Sequence, residues 1–163
     1  MGTVRVVCLS DTHLRRRQAL PAWCLRRLEG ADLILHVGDM VAAAVLDELE
    51  QLAPVEAVRG NMDEIALRER LPVRRVVEIA AARIGLVHDP GSALGRATRL
   101  EQSFLGCDAV VFGHTHVPEI QRHARRLILN PGSPTAPRST LGATMLELSV
   151  LPDGTIEPVL VTP

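Results

Sequence analysis

Apolar residues fall in short runs along this chain, and glycine, proline or charged clusters close most of them. Residues 4–9 (VRVVCL) form the first such run, of the length and character of a buried parallel strand. A polar loop follows over residues 10–18. Pro21 suits the first turn of a helix that runs to Glu29 and stops at Gly30. Residues 32–37 make a second buried strand and residues 42–52 an Ala- and Leu-rich helix. Residues 54–58 make a third strand, ended by Gly60. Strand–helix–strand–helix–strand in this order predicts a parallel, right-handed α/β layer.

Beyond residue 73 the pattern changes. Residues 74–79 and 83–87 predict a hairpin closed around Ala81. Residues 92–105 predict a helix and residues 109–112 a buried strand. Residues 120–123 and 127–129 read as one strand pair. Residues 144–151 and 156–161 read as another, closed by the strong turn signal Asp153-Gly154. Repeats, low-complexity tracts and linkers are absent from the sequence, so residues 1–163 read as one domain.

Composition narrows the picture. A chain of 163 residues with 47% hydrophobic content can build its own core without a disulfide or a structural metal. Two Phe, one Trp and no Tyr mean that the core rests on Val, Leu, Ile and Ala, and that base-stacking platforms are scarce. All 18 basic residues are Arg, which reads first as codon bias, and the net charge is -1. Such a balance supplies no global field towards nucleic acid or an anionic membrane. Cys8, Cys24 and Cys107 show no CxxC pairing, and Cys8 and Cys107 flank apolar runs, as small core residues of a reducing compartment do. Neither a leader segment nor an apolar run approaching a membrane span is expected, and a cytoplasmic location is.

Candidate chemistry clusters where the apolar runs end. The first strand leads into Asp11 and His13, the second into Gly38-Asp39, the third into Gly60-Asn61. The hairpin strand leads into His88, and the strand at 109–112 into Gly113-His114-Thr115-His116. Open α/β sheets bind ligands beyond the carboxyl ends of their strands. In an extended segment the i and i+2 side chains of His-x-His share a face, and the preceding glycines allow close backbone approach. His36, inside the second strand, and His123, in a polar hairpin, read instead as hydrogen-bonded structural residues. Imidazole and carboxylate without thiolate suit Mn, Fe, Co, Ni or Zn rather than a closed structural zinc site. There are more ligands than one such ion needs. Two divalent ions sharing a carboxylate would use them, an apparatus suited to phosphate-ester hydrolysis.

In their order and spacing these blocks resemble the calcineurin-like metallophosphoesterases. The short length, Arg59-Gly60-Asn61-Met62-Asp63, and Asn130-Pro131-Gly132-Ser133 followed by Pro137-Arg138 resemble the small bacterial and archaeal phosphodiesterase branch. The resemblance implies an α/β fold of two facing mixed β-sheets flanked by helices, a four-layer αββα sandwich. It implies that Asp11, His13 and His116 hold one metal, that Asn61, His88 and His114 hold a second, and that Asp39 bridges them. A metal-bridging hydroxide would attack phosphorus in line, with Asp39, Asn61 and His114 as catalytic residues and Asn61 also touching a phosphate oxygen.

Two positions depart from the family pattern. Many relatives carry His after the Gly-Asn pair, where it protonates the leaving group; Met62 stands here, which weakens general-acid help and fits the phosphodiesterase branch. The fourth block is His88-Asp89-Pro90 rather than His-Gly, and Asp89 is a candidate for orienting a ligand imidazole. Arg15, in the run Arg15-Arg16-Arg17, could pair with a substrate phosphate, although a solvated loop is the plainer reading. A small phosphodiester is the expected partner. A non-catalytic scaffold on the same fold and a nuclease are the competing readings; near-neutral charge and few aromatics count against the second. Exposed hairpin edges leave a homodimer open.

Overall fold

The computed structural model describes residues 2–163. Strand β1 (Val4–Leu9), helix α1 (Ala22–Leu28), strand β2 (Leu33–Val37), helix α2 (Ala43–Glu50) and strand β3 (Val55–Val58) follow the expected order. They build parallel pairs, with Val6 opposite Leu33 and Ile34 opposite Val55. Helix α3 (Ile65–Arg70) comes next, then β4 (Arg74–Ile79), β5 (Ala82–Val87), helix α4 (Arg96–Ser103) and β6 (Ala109–Phe112). The chain closes with β7 (Glu119–His123), β8 (Arg126–Asn130), β9 (Met145–Val150) and β10 (Ile156–Val161).

Two five-stranded mixed sheets result, in the orders β10-β9-β1-β2-β3 and β4-β5-β6-β8-β7. Strand alternation explains the layering, because successive side chains point to opposite faces. Val6 and Cys8 of β1 join Leu35, Val37, Ile84, Leu86, Val111 and Leu129 in an apolar layer between the sheets. Their neighbours Val7 and Leu9 face the other way, onto Cys24 and Leu28 of α1, Val45, Leu46 and Leu49 of α2, and Leu67 of α3. On the far side, α4 lays Leu100 over Val87, Val110, Phe112 and Ile128. The four layers are therefore helix, sheet, sheet, helix, as the resemblance implied. Each fully buried aliphatic side chain contributes about 1.5–3 kcal/mol, so these layers supply the main stabilisation of the fold.

Most element boundaries agree with the sequence pattern to within two residues. The helix expected over 92–105 is shorter, because Gly95 adopts φ 67° and places residues 92–95 outside it. Helix α3 was not expected: only Leu67 in it is buried, and Ile65 is 73% exposed, so its apolar residues carry no helical period. The hairpin turn of β4 and β5 lies at Ala80 and Ala81, with Ala80 at φ 52°. All three cysteines are buried free thiols. Among the described residues no helix is long and apolar enough to cross a membrane.

Candidate metal centre

The carboxyl ends of β1, β2 and β3 in one sheet and of β5 and β6 in the other meet at one edge of the sandwich. Backbone hydrogen bonds tie the loops together there: Asp11 N–H to Gly38 O at 3.0 Å, His13 N–H to Asp39 O at 3.0 Å, and Gly113 N–H to His88 O at 3.0 Å. Close approach explains the glycines. A Cβ on Gly60 would stand 2.1 Å from Asp39 Oδ1, and one on Gly113 would stand 2.0 Å from Ser10 Oγ.

Every ligand-capable residue picked out by sequence enters this edge. Asp11 and Asp39 are buried, as are His88 and His116. Asp11 Oδ1 lies 3.3 Å from His116 Nε2 and 3.8 Å from His13 Nε2, and those two imidazole nitrogens are 3.2 Å apart. On the other side Asn61 Oδ1 lies 3.0 Å from His88 Nε2 and 3.2 Å from His114 Nδ1. Asp39 Oδ2 stands between the two sets, 3.5 Å from His13 Nε2 and 3.4 Å from His88 Nε2.

Partners behind the ligands fix what they present. His88 Nδ1–H donates to Val37 O at 2.8 Å, and His116 Nδ1–H donates to Ala136 O at 2.6 Å. In each neutral ring the hydrogen is thereby assigned to Nδ1, and the Nε2 lone pair faces the site. Ser10 Oγ–H donates to Asp11 Oδ2 at 2.5 Å, and Met62 N–H donates to Asp39 Oδ1 at 2.8 Å, which leaves the opposite carboxylate oxygens for the centre. Asp11 Oδ1 is buried and has no hydrogen-bond partner.

This arrangement fits a cation. As oriented, His88 Nε2 and Asn61 Oδ1 are both acceptors in contact, an opposition that a metal ion would reconcile. Two atoms each about 2.1 Å from a tetrahedral ion stand about 3.4 Å apart, close to the spacings above. Asp11, His13 and His116 form one group able to hold an ion, and Asp11, Asp39 and His88 form another. Burial raises the pKa of Asp11, but the neighbouring His13 imidazole, the Ser10 hydrogen bond and the nearby His88 and His116 more than offset this and hold it below the usual carboxylate value. Burial likewise acts on Asp39, and the adjacent His88 imidazole and the Met62 hydrogen bond outweigh it, so its carboxyl is also held low.

The backbone is strained where the ligands stand. Asp11, His13, Asp39, His114 and His116 all have positive φ, between 46° and 69°. Asp and His tolerate this region better than other side chains, and clustering of such strain is typical of functional sites.

Other sequence assignments resolve individually. His36 is fully buried, accepts from Gly38 N–H at 3.2 Å and contacts Thr12 Oγ1 at 3.2 Å, so it supports the loops without entering the centre. His123 pairs with Glu101 at 3.6 Å, away from the site. Asp89 does not orient a ligand imidazole: its carboxylate accepts from Gly91 N–H at 2.7 Å, while Val37 O serves His88. Arg15 is exposed in the loop after His13, where its backbone N–H reaches Gln18.

Sequence reasoning assigned no role to the residues that hold the loops. Asp63 receives Gly60 N–H at 2.7 Å and Val41 N–H at 2.8 Å, locking the Asn61 loop to the Asp39 loop. Ser133 Oγ–H donates to Asp11 O at 2.7 Å, and Asn130 Nδ2–H donates to Gly113 O at 3.2 Å. The Asn-Pro-Gly-Ser segment thus clamps two ligand loops from behind, and its sequence was the only signal for it.

The description of the calcineurin-like phosphoesterase superfamily domain matches residues 4–151. A probable metallophosphoesterase of Methanocaldococcus jannaschii is 40% identical over 154 residues, covering 91% of this chain and 77% of the relative. Among solved structures, Vacuolar Protein Sorting 29 of Cryptosporidium parvum superposes with a TM-score of 0.81 at 21% identity, covering 99% of this chain and 98% of that one. Wild-type Vps29 of Entamoeba histolytica complexed with zinc gives 0.72 at 26% identity, covering 97% and 98%.

Proposed function

Because this chain belongs to the calcineurin-like phosphoesterase superfamily, we propose that it is a metal-dependent phosphodiesterase working with two divalent ions. Asp11, His13 and His116 would hold one ion, Asn61, His88 and His114 would hold the other, and Asp39 would serve both. The observation that carries this reading is the position of Asp39 Oδ2, 3.5 Å from an imidazole of one set and 3.4 Å from an imidazole of the other. The nitrogen and oxygen donors suit Mn, Ni, Co, Fe or Zn, and the zinc complex of the Entamoeba relative agrees with that range. When bound, such ions bring the pKa of water near neutrality and neutralise charge on phosphate oxygens.

The chain's own groups do the rest. Asp39 keeps Oδ2 in the centre because Met62 N–H occupies Oδ1. Asn61 turns Oδ1 towards His88 and His114 and has its amide N–H left for a phosphate oxygen. His114 lies at the exposed rim, nearest to incoming substrate. Met62, 56% exposed, has no proton to give the departing oxygen, so esters of acidic alcohols or phenols are the favoured substrates.

The test is hydrolysis of bis-p-nitrophenyl phosphate by chelator-stripped chain, with Mn, Ni, Co, Zn and Mg restored separately and Asp39→Asn as control. Asn keeps the tolerance for positive φ, so the variant isolates the lost charge. Metal-restored turnover that Asp39→Asn removes supports the proposal. Folded chain inactive with every ion would overturn it in favour of a protein-binding scaffold on the same fold.

A further inference from the structure

A cavity of about 240 Å³ opens directly beside the second ligand set, lined by Asn61 and His88 and by Arg59, Val73, Arg74 and Val87. Arg74, Val87 and Asp89 also line a second cavity of about 210 Å³, which runs on to Arg99 and Phe104. The shared residues make the two cavities neighbours along one face, a setting for a small ligand that reaches from one to the other. A substrate whose phosphate lies against the Asn61 amide would extend one ester group into this groove.

The charge of the groove is unbalanced. Arg59, Arg74 and Arg99 line it against one carboxylate, Asp89, which already accepts the Gly91 N–H. By contrast Arg75 of β4, Arg83 of β5 and Arg96 of α4 pair with Glu56, Glu78 and Glu119. Among the described residues Arg59, Arg74 and Arg99 have no such partner. Arg59 donates to Arg68 O at 3.1 Å and keeps its other N–H donors, whereas Arg99 spends its Nε and Nη2 donors on the carbonyls of Pro90 and Ser92 and one of Nη1 on Leu94, so it contributes charge to the groove rather than a paired donor edge. Arg74 lies with its guanidinium carbon 5.9 Å from the Phe104 ring centroid, and its side-chain N–H groups have no hydrogen-bond partner among the described residues. Val73, Val87 and Phe104 supply apolar walls between these cations.

We infer that this groove is a second anion subsite: it selects phosphodiesters in which one ester group carries a further phosphate or carboxylate on a compact, partly apolar body such as a nucleoside. The inference rests on the phosphodiesterase reading for its placement of the first phosphate. Guanidiniums without carboxylate partners bind such oxygens through paired N–H donors, and the walls take the body of the ligand.

Calorimetric titration of the Mn-loaded chain with thymidine 3′,5′-bisphosphate and with thymidine 5′-monophosphate tests it. Hydrogen bonds to a charged group of this kind are expected to favour the bisphosphate by about tenfold. Arg59→Ala and Arg74→Gln should each bring that ratio close to one, whereas Arg122→Ala, which removes an equal charge elsewhere, should leave it. Equal affinity for the two nucleotides, or a ratio that all three variants lower alike, would overturn the inference. Turnover of bis-p-nitrophenyl phosphate, which has no second charge, reports on the phosphodiesterase reading separately. Turnover without a binding preference rejects the subsite alone, and a binding preference without turnover rejects the hydrolytic reading alone.

Discussion

His36 provides an acid-sensitivity test of how the ligand loops are supported. Its ring is fully buried in β2, with Nδ1 accepting from Gly38 N–H and Nε2 facing Thr12 Oγ1, each at 3.2 Å. Because Nδ1 accepts, the hydrogen of the neutral ring belongs on Nε2, donated to Thr12. Burial pushes the pKa down from 6.5 to about 4, against the pull of Asp63 and Asp11. In the unfolded chain the imidazole titrates near its ordinary value of about 6.5. Above that pH it is neutral in both states and its contribution to stability is complete. Between the two values the unfolded chain binds a proton that the folded chain does not, so stability falls as the pH drops. A gap of 6.5 less 4 corresponds to a loss of about 3 kcal/mol, a large share of the stability of a domain this size. The assay is urea unfolding of chelator-stripped chain from about pH 7.5 to about pH 4, compared with His36→Asn, which retains an acceptor for Gly38. Asp11 and Asp39 are held low, so they lose stability only at the acid end, and His88, whose pKa is raised, acts with the opposite sign. The difference between the two proteins therefore isolates His36. Wild-type stability should converge on that of the variant as the pH falls, and curves that stay parallel from about pH 6.5 to about pH 4 would refute the reasoning.

Gly60→Ala places a methyl 2.1 Å from Asp39 Oδ1; it should cost about 1–3 kcal/mol in urea unfolding and weaken Mn binding in calorimetry together, because the group displaced is the carboxylate proposed to be shared by both ions. Burial lowers the pKa of His88, but the adjacent Asp39 carboxylate outweighs this and the net shift is upward. Proton and metal compete for the same lone pair, so calorimetric Mn affinity should drop about tenfold per unit as pH falls through that raised value, and level off above it. Replacing Arg15, Arg16 and Arg17 together with Ala should raise KM for bis-p-nitrophenyl phosphate if their charge meets the substrate; an unchanged KM assigns them to a solvated loop.

The parallel half of the fold was legible because β1, β2 and β3 are continuous apolar runs separated by turn signals. The gathering of the candidate ligands at one edge was legible for a related reason. Metal-capable residues followed one strand after another, and glycines marked where loops crowd, as Gly60 against Asp39 confirms. Pairing of β1 with β9 was not, since Val4 opposite Val150 joins the two ends of the chain through contacts that leave no local pattern. Helix α3 escaped because one buried leucine makes no period. Asp63, Ser133 and Asn130 escaped because their partners are backbone groups of distant loops, and a polar residue that braces such a loop looks, in sequence, like any surface residue. Asp89 shows the reverse error: adjacency to His88 suggested support for the imidazole, but a backbone carbonyl of β2 supplies it.

The most direct test of the central claim is to titrate the chelator-stripped chain with Mn and follow bound metal and bis-p-nitrophenyl phosphate turnover in the same samples. The account predicts two ions per chain, with turnover rising as the second binds, and loss of both features in Asp39→Asn. Saturation at one ion, or full turnover with one ion bound, would contradict it.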